Sequence, residues 1–316
     1  MSALRLGTRR SALARTQSTW VAERLRVLGH DVELVEITTT GDRDSTTPIA
    51  QLGGTGVFVS ALRAALLAGK VDLAVHSLKD LPTEPEAGVT IAAVPTREDP
   101  RDALVARDGL TLGELPAGST VGTGSPRRRA QLAALGLGLE VADLRGNVDT
   151  RLRTVTDGRL DAVVLAAAGL RRLGLISEVT ELLDPLQMLP APGQGALAVE
   201  VRADDAATAA IVQALDHADT RCCVTAERAL LAELEAGCSA PVGALAEVVE
   251  GMDGPELSLR AVVSTADGSA DLRRSLTGDH TDPTTLGRRL ARILLDDGAA
   301  DLMTTTADHL TTESAS

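Results

Sequence analysis

One short pattern occurs twice in this chain, and the duplication restricts the fold more than any other feature. The apolar run 4–6 leads into Gly7-Thr8-Arg9-Arg10-Ser11, and Val121 leads into Gly122-Thr123-Gly124-Ser125-Pro126-Arg127-Arg128-Arg129. Further on, Gly69-Lys70-Val71-Asp72-Leu73-Ala74-Val75 is matched by Gly158-Arg159-Leu160-Asp161-Ala162-Val163-Val164. Each later glycine reads as a helix stop leading into a buried strand. The common unit is strand, Gly-Thr turn, helix, strand, helix, strand. The first copy is longer, with its surplus around residues 38–56.

Local signals fill in this unit. The helix from Ser11 carries Leu13, Trp20, Val21, Leu25 and Leu28 at helical spacing and stops at Gly29. Residues 32–37 follow as a strand and 57–68 as a helix; 126–135, 140–144 and 148–156 take the same parts in the second copy. Strands alternating with helices imply two α/β domains with largely parallel sheets. Ligands of such sheets bind beyond the carboxyl ends of the strands, so the two domains are expected to face one cleft. Turn formers mark 95–101 and 189–195 as connections. From Asp219 the pattern changes to a helix, short strands around 244–249, 257–263 and 272–277, and a helix over 283–295. The expected division is 1–95 with 196–213 as domain 1, 101–189 as domain 2 and 218–303 as a smaller α+β domain 3. Residues 304–316, rich in Thr and Ser, are expected to be a disordered tail.

Both Gly-Thr turns sit where a strand ends and a helix begins, with Ser as N-cap and, in the second, Pro at the first helical position. Free N–H groups and the helix dipole favour anions there. Arginines oppose that dipole, so helix stability does not explain them, whereas a negatively charged ligand does. Yet the net charge is −13, which excludes a general affinity for nucleic acid or anionic lipid and makes the cationic sites local. With one Trp, one Phe and no Tyr, stacking on single-stranded bases is excluded too. No signal-peptide core opens the chain, and the longest apolar run, 162–170, is too short for a membrane span. Three cysteines make neither a disulfide framework nor a zinc pattern. These features point to a cytoplasmic protein with no structural metal.

Three segments could carry chemistry. His76-Ser77-Leu78-Lys79-Asp80-Leu81-Pro82 follows a buried strand at its carboxyl end. It reads either as a polar turn with a surface Lys–Asp pair or as part of a site. A carboxylate among arginines stays ionised, which suits a stabiliser of positive charge better than a general acid. Cys238 lies between Gly237 and Pro241 on a loop, where a thiol can be exposed; Cys222 and Cys223, inside a helix, read as inert core residues. Residues 41–56, with Gly53-Gly54-Thr55-Gly56, lack a Gly-Lys-Ser/Thr ending and read as a mobile lid or an ordinary flexible loop.

Taken together, His76-Ser-Leu-Lys-Asp80, Val121-Gly-Thr-Gly-Ser-Pro-Arg-Arg128, Leu144-Arg-Gly-Asn147, Leu189-Pro-Ala-Pro-Gly-Gln-Gly195 and Gly237-Cys238 resemble the porphobilinogen deaminase (hydroxymethylbilane synthase) family, in order and spacing. The resemblance covers the chain apart from its tail. It implies two domains like the type II periplasmic binding proteins, plus a smaller C-terminal α+β domain. It also implies a transferase of porphyrin and heme biosynthesis that polymerises four porphobilinogens, with loss of ammonia, into a linear tetrapyrrole. The primer would be a dipyrromethane cofactor joined to Cys238 through a thioether. By position in these motifs, Asp80 matches the catalytic aspartate. Lys79, Ser77, Thr123, Ser125, Arg127, Arg128, Arg145 and Asn147 match residues that hold the cofactor's side chains. Arg9, Ser11, Gln17, Arg151 and Arg172 match the lining of the substrate and elongation region. A monomer is implied. Thr55 and Ser60 stand where the family often has lysine, and Pro126 and Ala236 where it often has Leu and Gly. A different class, a cytosolic module that binds a di- or tricarboxylate without reacting, would explain the arginines but leaves Cys238 and the third domain without a purpose.

Overall fold

The computed structural model describes residues 3–38, 56–236, 240–252 and 254–303. The glycine-rich segment 41–55, the Cys238 loop at 237–239 and the tail 304–316 lie outside the described residues. The chain divides into two units, Met1–Glu98 with Gly195–Arg221, and Asp99–Gln194 with Cys222–Ser316.

The first unit is built on a five-stranded sheet. Its elements are β1 (Leu4–Thr8), α1 (Ala12–Val27), β2 (Val32–Glu36), α2 (Gly56–Leu67), β3 (Leu73–Ser77), β4 (Val89–Ala93), and the returning β10 (Leu197–Arg202) and α6 (Ala206–Gln213). The strand order is β2-β1-β3-β10-β4. β1 pairs parallel with β2 and β3, and only β10 runs against its neighbours. Ser11 caps α1, its hydroxyl accepting the Ala14 N–H at 3.3 Å. The buried face of α1 presents Val21, Ala22 and Leu25 to Leu6, Leu73, Val75, Leu197, Val199 and Val201, which form the core on that side of the sheet. Strands buried this completely read as continuous apolar runs rather than alternating ones.

The second unit contains two sheets. The first holds β5 (Asp102–Ala106), β6 (Thr120–Thr123), β7 (Glu140–Asp143), β8 (Ala162–Ala166) and β9 (Glu181–Leu182), with helices α3 (Pro126–Ala134), α4 (Val148–Thr156) and α5 (Ala167–Arg172). Its order is β7-β6-β8-β5-β9, with β5 the antiparallel strand. Position for position this repeats the first unit. Gly7 stands opposite Val35 and Ala74, while Gly122 stands opposite Ala142 and Val163. Close packing accounts for both glycines. A Cβ on Gly7 would meet Leu62 at 3.1 Å and Val71 at 3.2 Å; on Gly122 it would meet Leu160 at 2.6 Å and Leu144 at 2.8 Å. Val71 and Leu160 occupy equivalent places in the two copies.

The remaining sheet is an antiparallel meander of β11 (Val242–Gly251), β12 (Gly254–Ser264) and β13 (Asp271–Asp279). Helices α7 (Ala218–Glu233) and α8 (Pro283–Asp296) supply Ala226, Leu230, Leu286, Leu290 and Leu294 to a core with Leu257, Leu259 and Ala261. The β12–β13 turn presses against α3, where a Cβ on Gly268 would lie 2.3 Å from the Ala130 carbonyl oxygen. The expected α/β class, the duplication and the small C-terminal sheet are all present. Among the described residues, no helix is long and apolar enough to cross a membrane.

Candidate functional site

The candidate residues gather at the carboxyl ends of parallel strands, in two groups belonging to different units. In the first unit β1 delivers Thr8, Arg9 and Ser11, and β3 runs into a single 3-10 turn, Leu78–Asp80. Ser77 and Gln17, expected to serve cofactor and substrate respectively, are brought together: the Gln17 amide donates to the Ser77 hydroxyl at 2.9 Å. Lys79 and Asp80 are half-buried beside them on the turn. Among the described residues the Asp80 carboxylate has no hydrogen-bond or ion-pair partner, so its charge is not consumed by the fold. Ser11 has a local duty as the α1 cap.

The second unit concentrates positive charge. Thr123 ends β6 and its hydroxyl accepts the Ser125 N–H at 3.2 Å; Ser125 in turn caps α3 at Arg128, 3.5 Å away. Pro126 then starts the helix with its fixed φ. This local geometry turns Arg127 and Arg128 inward, where they are 3% and 5% exposed. Both converge on Asp102, the fully buried first residue of β5. Arg127 Nη2 lies 2.8 Å from Oδ2, and Arg128 donates to Oδ1 from Nε at 3.0 Å and Nη2 at 2.7 Å. Arg127 also donates to the Leu189 carbonyl at 2.6 Å and Arg128 to that of Val164 at 2.9 Å. Asn147 caps α4, accepting the Thr150 N–H at 2.9 Å, and Arg151 donates to the Gly146 carbonyl at 2.8 Å. Exposed Arg145 pairs with Asp143 at 3.3 Å.

The electrostatics of this group are lopsided. Four guanidiniums (Arg127, Arg128, Arg145 and Arg151) share two carboxylates, those of Asp102 and Asp143. Burial pushes Arg151 below the ordinary arginine value, and the positive charges of Arg128 and Arg145 push it further. Arg127 is lowered chiefly by burial, with Arg128 again opposing it while Asp102 supports it. Burial alone would raise the Asp102 carboxyl, but Arg127, Arg128 and the Gln194 amide outweigh it and hold the group at about 2. Arg127 Nε is buried with no hydrogen-bond partner among the described residues. Surplus buried cation with an orphaned donor is the condition that an anionic ligand relieves. A dipyrromethane bearing acetate and propionate groups fits this donor set.

Arg172 is half-buried on α5, and Arg9 is half-buried at the end of β1; each has partners within the chain. Two features escaped the sequence reading. One is Asp102, whose only signal is a carboxylate opening the apolar strand Asp-Ala-Leu-Val-Ala. The other is Glu200, 1% exposed inside the run 197–201. It binds Arg63 Nη2 at 2.7 Å and His76 Nε2 at 3.1 Å.

A family model described as the porphobilinogen deaminase dipyromethane cofactor binding domain matches residues 4–210, and one for the porphobilinogen deaminase C-terminal domain matches residues 221–296. The porphobilinogen deaminase of Mycobacterium tuberculosis (strain ATCC 25618 / H37Rv) is 60% identical over 305 residues, covering 95% of this chain and 98% of that one. That of Nocardia farcinica (strain IFM 10152) is 59% identical, covering 95% and 88%. Among solved structures, the methionine-binding protein MetQ aligns with 67% of this chain and 89% of its own at 14% identity and a TM-score of 0.42. With both of its domain models matched in order and relatives of this similarity along almost its whole length, the chain belongs to the porphobilinogen deaminase family of transferases, whose larger domain binds a dipyrromethane cofactor.

Proposed function

We propose that this chain joins four porphobilinogen molecules head to tail, releasing one ammonia for each, and then frees hydroxymethylbilane by hydrolysis. The observation that carries the reading is the under-neutralised guanidinium group at the strand ends of the second unit. Each pyrrole adds two carboxylates, so a growing chain is a polyanion and requires surplus cation. When bound, the dipyrromethane supplies a free pyrrole α-carbon as nucleophile. Arg127, Arg128, Arg145 and Arg151 bind and orient carboxylates, assisted by Thr123, Ser125, Asn147, Ser77 and Lys79. Arg9, Ser11, Gln17 and Arg172 line the path of substrate and product.

Asp80 acts on the reacting centre. Loss of ammonia from the porphobilinogen aminomethyl group leaves a cationic azafulvene, and the Asp80 carboxylate would stabilise that positive charge while it lasts. A carboxylate about 4 Å from a unit positive charge, at an effective dielectric near 20, contributes ~4 kcal/mol, or a thousandfold in rate. Its lack of a competing partner among the described residues leaves it available for this.

The cofactor's anchor is Cys238, and the enzyme works as a cytoplasmic monomer. A thioether survives denaturation and thiol reductants, so intact mass tests the attachment directly. The purified chain should be heavier than its sequence mass by two linked pyrroles, and substrate should add a ladder of single-pyrrole steps. Cys238→Ser should abolish attachment, whereas Cys222→Ser and Cys223→Ser should not. An unmodified mass in freshly purified, active protein would overturn the covalent primer and favour a carboxylate-binding module.

A further inference from the structure

The motif Leu189-Pro-Ala-Pro-Gly-Gln-Gly195 lies on the connection between β9 and β10. In the structure its Gln194, 1% exposed, donates one amide nitrogen to both the Pro100 carbonyl oxygen and Asp102 Oδ1, each at 2.8 Å. Leu189, at the other end of the motif, offers its carbonyl oxygen to Arg127 Nη1 at 2.6 Å and to the Gln131 amide at 3.0 Å. Gln131 reciprocates by accepting the Leu189 N–H at 2.8 Å. One end of the motif therefore holds Arg127 directly, and the other holds the carboxylate that Arg127 and Arg128 share.

Asp102 is the hub. Its Oδ1 takes three donors, two from Arg128 and one from Gln194, while Oδ2 faces Arg127. Such a carboxylate fixes where two guanidiniums point and cancels one of their two charges. What remains is one net positive charge, rigidly aimed, with Arg127 Nε lacking a partner among the described residues. Without Asp102 two buried cations would repel each other; with a second carboxylate the cluster would be neutral and indifferent to a ligand. Gln194, carrying no charge, holds the Asp102 rotamer without changing that balance.

We infer that Asp102 and Gln194 are positioning residues for cofactor capture: they set the geometry and the single surplus charge with which Arg127 and Arg128 receive a pyrrole carboxylate. The inference rests on the reading that these two arginines hold cofactor carboxylates. Charge and shape then predict different outcomes for different substitutions. Gln194→Ala frees the Asp102 rotamer at constant charge. Asp102→Asn keeps the shape and raises the surplus to two. Gln194→Glu adds a carboxylate and removes the surplus.

The test uses full-length apoprotein, produced without a supply of porphobilinogen, to which porphobilinogen is then added. Intact mass follows the rate of cofactor attachment, and thermal unfolding of the same samples reports stability. Gln194→Ala should unfold within about 5 °C of the parent yet load at least tenfold more slowly. Gln194→Glu should load more slowly still, with a higher porphobilinogen concentration needed for half-maximal rate. Gln194→Ala carries the test even where Asp102→Asn does not fold, because its charge balance is intact. Loading of Gln194→Ala at the parental rate overturns the inference, as does a loading defect that merely tracks a large fall in unfolding temperature. The Arg127→Leu, Arg128→Leu double variant separates the two levels. If it loads normally, the reading of the arginines fails. If it does not load while Gln194→Ala and Asp102→Asn load normally, only the positioning inference fails.

Discussion

A half-buried carboxylate without a hydrogen-bond or ion-pair partner is unusual in a chain this rich in arginine, and among the described residues Asp80 is such a residue. In this chain 31 basic residues face 44 acidic ones, and most half-buried carboxylates for which contacts are seen, such as Asp72, Asp99 and Asp161, are paired with arginine. An unpaired carboxylate retains its full field for a cation that forms during reaction. Asp80→Asn removes the charge at almost constant shape, so folding should be unaffected and turnover should fall about a thousandfold, the equivalent of ~4 kcal/mol. Asp80→Glu should keep a trace, since the charge survives but moves. Porphobilinogen consumption by the three proteins decides it. An Asn variant within about tenfold of the parent, a difference of only ~1.4 kcal/mol, would exclude the role. The arginines allow a companion comparison. Arg127→Lys should load cofactor less well than the parent and better than Arg127→Leu, because a lysine keeps the charge but not the two-pronged geometry that meets Asp102 and the Leu189 carbonyl together. Equal loading by the Lys and Leu variants would contradict that.

At the scale of elements, the strand–Gly–Thr–helix unit is what places these side chains, and its two copies make different demands on the glycine. Gly7 has neighbours at 3.1 Å and beyond, all side-chain methyls; Gly122 has Leu160 at 2.6 Å and Leu144 at 2.8 Å. Gly122→Ala should therefore cost more than Gly7→Ala, about 1–3 kcal/mol of overpacking against a fraction of that. Thermal unfolding of the two variants checks the ranking, and equal midpoints would refute the packing argument. The repeat was visible in the sequence because a Gly-Thr turn, an N-cap Ser and a downstream glycine are local chemistry. The order of the strands was not. β10 enters the first sheet antiparallel between β3 and β4, from a segment more than a hundred residues downstream, and nothing local in Leu-Ala-Val-Glu-Val-Arg announces its partner. β9, two residues long, has too little pattern to read.

Over the whole molecule, each unit stakes part of its stability on a buried carboxylate that sequence alone did not reveal. Asp102 and Glu200 look like two more acids in an acidic chain; only folding brings arginines 26 and 137 positions away onto them. The arginine and aspartate motifs of the site were readable because they are contiguous, and these counter-ions were not because they are contiguous only in space. Their linkage to pH has a definite sign. Burial would raise the Glu200 carboxyl, but His76 and Arg63 prevail and hold it at about 2, against an ordinary 4.5; Asp102 is likewise at about 2 against 3.8. Between these values the folded chain binds fewer protons than the unfolded one, so stability rises with pH there. The contribution is complete above about pH 5 and is lost as pH falls through the folded values, amounting to ~2–3 kcal/mol for each group. Denaturant unfolding should thus give a flat plateau from pH 7 to pH 5 and a steep decline from pH 4 downward. Glu200→Gln removes the charge that meets Arg63 at 2.7 Å and leaves it the longer 3.5 Å pair with Glu86, so the variant should be less stable than the parent at pH 7 by about 2–3 kcal/mol, the contribution of the ionised carboxyl. Because the parent loses its own advantage on protonation, the gap between parent and variant should narrow steadily below pH 4.5. A gap that stays constant down to pH 3 would show that Glu200 is not held ionised by its partners, and the buried ion pair would have to be replaced by a neutral hydrogen-bonded one.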